Sequence, residues 1–227
     1  MDYLGQAIID FLKQIITWGP GLFLGVILHE YSHGYIAYRQ GDPTAKSMGR
    51  LTLNPMAHID LFGTILLPLL LILVGSNILF GYAKPVPINT NNFTDFRKGM
   101  RYTSLSGIVT NLLLAFGIGT LYGLYFLLTR SIDSVALDFI SQIFIFAIYI
   151  NIFLAVFNLI PIPPLDGSKV LASFLPDNVM YRYLSLGRFG FIFIFVILFI
   201  GGRFLWPIIF PIVSAIYSVC LWWRFLL

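Results

Sequence analysis

Apolar runs recur along this chain, near residues 19–38, 59–80, 104–128, 139–160, 189–202 and 204–223, most of them long enough to cross a bilayer and 189–202 short for a full span. A hydrocarbon core of about 30 Å takes roughly 20 such residues in helical form, and inside it every backbone polar group must be satisfied within the protein. Few folds meet both demands. Of the 227 residues, 58% are hydrophobic and only 11% charged, against roughly 25% charged residues in a soluble domain. The sequence therefore predicts an all-α polytopic membrane protein, a single domain over residues 1–227 formed by a helical bundle of about five transmembrane helices.

The formal charge of +4 does not point to nucleic acid, because the basic residues sit in the connections between apolar runs, where they act as topology signals. Cys220 is the only cysteine, which excludes an intramolecular disulfide and a cysteine-based metal site. Residues 1–18 lack the pattern of a cleavable signal peptide. Asp2, Gln6, Asp10, Lys13 and Gln14 alternate there with apolar residues at helical spacing, which predicts an amphipathic helix lying in the membrane interface.

Gly41-Asp42-Pro43 is expected to stop the first helix, and Pro161-Ile162-Pro163-Pro164-Leu165-Asp166-Gly167 another. Lys84-Pro85-Val86-Pro87 and the Asn-rich residues after it predict an extended or looped connection. Residues 59–80 either cross or re-enter, and the positive-inside bias separates the two. With re-entry, one side holds 11 basic residues and the other 3; with a full crossing the split is 5 against 9. Pro68, Gly63 and Gly75 also suit a broken element, so re-entry is the favoured expectation.

Within the first strongly apolar helix the chain reads His29-Glu30-Tyr31-Ser32-His33. Histidines at i and i+4 share a helix face and can bind one Zn²⁺, with Glu30 placed to handle the proton of the attacking water. Glu30 is the only glutamate in the chain, and two of its three histidines flank it. Ionisable groups at membrane depth are costly unless partnered, so they mark function more often than a buried hydrogen-bond cluster. A catalytic zinc usually takes three protein ligands and keeps one position open. Asp166, Asp60, His58, Asp42 and Asp138 are candidates for the third. Asp166 reads equally well as a ligand held at the end of an apolar helix or as the cap of a helix starting near Ser168.

These residues resemble the site-2 protease family of intramembrane zinc metalloproteases, in its short prokaryotic form without appended PDZ or CBS domains. The resemblance is carried by His29-Glu30-Tyr31-Ser32-His33, by Gly41 to Lys46 and Gly49 to Asp60, by Gly81-Tyr82-Ala83-Lys84-Pro85-Val86-Pro87, and by Asn158-Leu159-Ile160-Pro161-Ile162-Pro163-Pro164-Leu165-Asp166-Gly167. It implies that His29, His33 and Asp166 ligate one zinc per chain, that Glu30 is catalytic base and acid, and that Asn158 helps hold the substrate. One departure lies at Ser106-Gly107-Ile108, followed by Asn111, where the family often has Ala-Gly-Pro before its asparagine. The implied reaction is cleavage of transmembrane segments of membrane proteins, in regulated intramembrane proteolysis, at the cytoplasmic side of a prokaryotic cell membrane.

The expected catalytic core covers about residues 19–175. Lys84, Pro85, Val86 and Pro87 are expected either to offer a short β-like edge that pairs with unwound substrate or to form a plain rigid loop. The last two apolar runs, about residues 186–224, are read as gate helices or as ordinary lipid-facing helices. A metal-binding transporter and an inactive membrane scaffold are the rival readings; no inverted repeat supports the first, and the intact base and histidines disfavour the second. The oligomeric state is not legible.

Overall fold

The computed structural model describes residues 3–66, 70, 82–190, 192 and 202–225. Among these, all regular structure is helical. Helix α1 covers Tyr3–Arg39, α2 Thr44–Ser47, α3 Phe96–Thr129, α4 Val135–Leu159, α5 Asp166–Ala172, α6 Asp177–Ser185 and α7 Gly202–Cys220. By length and composition α3 and α4 each suffice to cross a membrane, and Trp206–Cys220 is a shorter apolar stretch.

The expected interfacial helix is not a separate element. Residues 3–18 run into the His29–His33 segment as one helix, with Pro20 inside it. Proline removes a single intrahelical bond, and helices packed in a membrane tolerate that loss. Trp18 stacks on Phe146 of α4 at 4.9 Å, which carries this packing below Pro20. Helix α3 begins eight residues ahead of its apolar run because Asp95 caps it, accepting from the Lys98 N–H at 2.9 Å. Those first turns are polar and dock on α5 and α6: Arg97 donates to the carbonyls of Ser173 and Leu175 and pairs with Asp177 at 2.6 Å.

Helices α1, α3 and α4 form the central trio. Asn111 of α3 donates to the Gly25 carbonyl of α1, Gly107 lies against His29, and the Thr103 carbonyl meets His33. Rising residue numbers on one helix meet falling numbers on the other, so α1 and α3 are antiparallel. Gly21 packs on Ala147 and Gly25 on Asn151 of α4, so α1 and α4 are parallel. The buried amides of Asn111 and Asn151 face backbone carbonyls in this seam. The outer faces of α3 carry exposed Leu113, Leu121, Leu124 and Leu128. Polar groups inside and leucines outside suit a lipid solvent.

Two apolar clusters bracket the middle of the trio. One joins Ala115, Ile118, Ile148, Ile152, Ile209 and Val213, bringing α7 onto α3 and α4. The other joins Ala37, Phe93, Met100, Ala172 and Met180. Of the proposed re-entrant stretch, Leu61–Leu66 is a π-helical turn, and nearly all the rest of 59–80 lies outside the described residues, as does most of the run 189–202. Tyr82 N–H donates to the Gly63 carbonyl at 3.1 Å, and Thr64 Oγ1 donates to the Tyr82 carbonyl at 2.9 Å.

Candidate metal centre

His29 and His33 lie one turn apart on α1, both over nine-tenths buried. Their Nε2 atoms are 2.9 Å from each other. Asp166, the first residue of α5, reaches this pair with Oδ2, 3.2 Å from His29 Nε2 and 2.9 Å from His33 Nε2. It makes no capping bond to its own helix, whose N-cap is Leu165. Of the five candidates for the third position, only Asp166 comes to the histidines among the described residues. The others are engaged elsewhere. Asp42 is buried in the 41–44 turn, Asp60 Oδ1 accepts from Gly63 N–H at 2.7 Å, His58 faces the Thr52 carbonyl at 2.9 Å, and Asp138 stands in the first turn of α4.

This donor set fits a small divalent cation. The Thr103 carbonyl can only accept, so the 2.6 Å contact to His33 Nδ1 places the ring proton there and leaves the Nε2 lone pair facing inward. A tetrahedral ion with arms of about 2.0–2.1 Å holds its ligand atoms roughly 3.3 Å apart. The observed separations of 2.9, 2.9 and 3.2 Å lie at or a few tenths of an ångström below that value. Two imidazole nitrogens and a carboxylate oxygen pressed this close, in a buried site, make a poor hydrogen-bond cluster and a good cation cage.

Glu30 points from the same turn toward the connection before α3. Its Oε2 accepts from the Val86 N–H at 2.7 Å. The stretch Lys84 to Pro87 has no regular secondary structure and belongs to no strand. It is held from behind: Lys84 N–H donates to the His58 carbonyl at 2.9 Å, and Arg50 donates to the carbonyls of Lys84 and Pro85. Asn158 donates to the Leu154 carbonyl of its own helix at 2.9 Å and makes no hydrogen bond to the histidine–aspartate cluster.

The contacts that support the cluster escaped the sequence reading, which had Val86 only at the substrate edge and Gly107 only in a departing motif. They are Thr103 behind His33, Gly107 against His29, Val86 on Glu30, and Lys169, whose Nζ lies 2.9 Å from Asp166 Oδ1. Two of them left a trace. Lys169 stands three residues after Asp166, one helical turn away, and Val86 has the single N–H between two prolines.

The profile of Peptidase family M50 matches residues 121–200. The chain is 40% identical to a Bacillus subtilis protein named "Putative zinc metalloprotease YwhC" over 210 residues, 88% of this chain and 90% of the relative. It belongs to peptidase family M50, the site-2 proteases. Its similarity extends to "Putative zinc metalloprotease Rip2" of Mycolicibacterium smegmatis, 31% identical over 87% of this chain and 69% of the relative. A Methanocaldococcus jannaschii protein, "Putative zinc metalloprotease MJ0611", is 32% identical over 75% of this chain and 74% of its own length. No solved structure matches. As a member of the family this M50 peptidase is a membrane zinc metalloprotease acting on a protein substrate, and the His29, His33 and Asp166 group can hold one metal ion.

Proposed function

We propose that this M50 peptidase is an intramembrane endopeptidase that cleaves transmembrane segments of other membrane proteins, in regulated proteolysis at the cytoplasmic side, with His29, His33 and Asp166 as zinc ligands and Glu30 as base and acid. One observation carries the reading. Three side chains able to bind a metal, each at least nine-tenths buried, converge between helices whose outer surfaces are apolar, with a lone glutamate on the same turn as the histidines.

Bound zinc would supply Lewis acidity, polarising the scissile carbonyl and making water nucleophilic at neutral pH. The chain's own groups do the rest. His33 is fixed in one tautomer by Thr103, so its Nε2 is available as a ligand. Glu30 takes a proton from the attacking water and delivers it to the leaving amine, while Val86 N–H holds one carboxylate oxygen in place. The apolar helices around the cluster limit bulk water to what the site admits.

The reading includes a topology of about five spans, with residues 59–80 entering and leaving on one side, in a single domain of residues 1–227. Antiparallel packing of α1 and α3 supports it, since both ends of the 40–95 connection then lie at the same face. The bonds joining Gly63 and Thr64 to Tyr82 support it too, because they close that excursion at its base. Parallel packing of α4 with α1 then returns Asp166 to the face where α1 ends.

Substrate is taken to unwind locally and lie along Lys84-Pro85-Val86-Pro87 as a paired strand. The support is the Val86–Glu30 bond, which sets this stretch beside the base. Asn158 is assigned to the substrate on its place in the last turns of α4. The last two apolar runs, about residues 186–224, are the proposed gate, with Pro207 and Pro211 inside α7 permitting it to bend. Glu30→Gln in detergent-purified protein tests the core of the proposal. It should keep one zinc per chain and lose cleavage of a model transmembrane substrate by at least about 100-fold, in line with the loss of general acid–base catalysis. Unchanged cleavage would sink it.

A further inference from the structure

The two oxygens of Asp166 have different partners. Oδ2 faces both histidines, at 3.2 and 2.9 Å, whereas Oδ1 accepts from Lys169 Nζ at 2.9 Å. Aspartate and lysine stand at i and i+3 of α5, so the pairing is built into one helix face. The ammonium end is approachable from outside, with 46% of the Lys169 side chain exposed against 6% for Asp166. A pair so exposed on one side adds little to folding. Its consequence lies in which oxygen it leaves free.

A carboxylate with both oxygens available can clasp a metal through two bonds. At a zinc with two histidines, that second oxygen would fill the place a hydrolytic site must keep open for water and substrate. A charge-assisted bond from Lys169 occupies that oxygen. Resting on the ligand assignment above, we propose that Lys169 is a positioning residue: it holds Asp166 to ligation through Oδ2 alone, and so keeps the fourth coordination position open.

The test uses full-length protein in detergent, loaded with Co²⁺ in place of zinc and, separately, with zinc for rates. Four-coordinate cobalt absorbs visible light severalfold more strongly than five-coordinate cobalt. Lys169→Met is expected to retain one metal per chain, to weaken the cobalt band severalfold, and to lower kcat about 10- to 100-fold, the usual scale for losing a partner of a metal ligand. KM should stay close to the parent value. Lys169→Arg, which keeps a cationic donor, is expected to restore both the band and the rate. Lys169→Gln, neutral but still a donor, should fall between them and serves as the informative variant if Lys169→Met does not fold.

A parent-like cobalt spectrum in folded Lys169→Met or Lys169→Gln overturns the proposal, whatever the rate does. Asp166→Asn separates this from failure of the metal centre itself. If that change leaves the cobalt spectrum and affinity untouched, Asp166 is not a ligand and the assignment beneath the proposal is what has failed.

Discussion

At the position of Gly107 a Cβ would come within 2.5 Å of the His29 imidazole, so α3 can lie against this ring only because residue 107 has no side chain. Gly107→Ala must therefore push the ring from its place or part the two helices. Zinc affinity is expected to fall by about 10- to 100-fold, read by competition with a chromogenic chelator. Gly117→Ala on the same helix is the control: nothing lies within 4 Å of its would-be Cβ, and its affinity should match the parent. The pairing of His29 with His33 was legible from sequence because the spacing that joins them is local, a single helical turn. Asp166 was not separable from a helix cap by pattern, since its partner His33 is 133 residues away. The contacts of Thr103 and Val86 are made by backbone groups, which every residue carries, so no side-chain pattern announces them.

Asp42 shows what fastens the connections around the trio. It is wholly buried and accepts from Thr44 N–H and Oγ1, Asn89 N–H and Asn92 Nδ2, which ties the turn after α1 to the segment before α3. Burial pushes its carboxyl upward, but the hydrogen bonds from Thr44, Asn92 and Asn89 outweigh it and hold the group below the usual carboxylate range. A depressed value stabilises the folded state above the unfolded group's titration, and the gain is lost as pH falls through the folded one. The stability difference between the parent and Asp42→Asn should thus be constant at neutral pH and shrink below about pH 4, measured by thermal unfolding in detergent. At this scale α3 and α4 were legible, because their hydrophobic runs exceed what a soluble helix needs. The polar first turns of α3 were not, since hydropathy registers only the part of a helix that lipid touches. The continuity of α1 was hidden for another reason: polar residues at helical spacing in 1–18 mark an interfacial helix, and only contacts such as Trp18 on Phe146 show that it continues into the bundle.

For the whole molecule, the His29, His33 and Asp166 group draws on α1 and on a short helix that follows α4, so an ion held there would also fasten the assembly. Binding to the folded state alone stabilises it by about 2.7 kcal/mol at 100 times the dissociation constant. A chelator should accordingly lower the thermal midpoint of the purified protein, zinc should restore it, and Asp166→Asn should respond to neither; an equal zinc response in that variant would argue against the shared site. The helical class and the membrane setting were open to reading from composition alone, whereas the relative direction of α1, α3 and α4 needed their contacts. Val86 and Glu30 lie 56 residues apart in sequence with 2.7 Å between their bonded atoms. A load on that loop cannot be borne by the loop alone: drawing residue 86 outward either carries the carboxylate along or sets it loose. Whatever presses on the connection ahead of α3 is thereby felt at the Glu30 carboxylate through that bond.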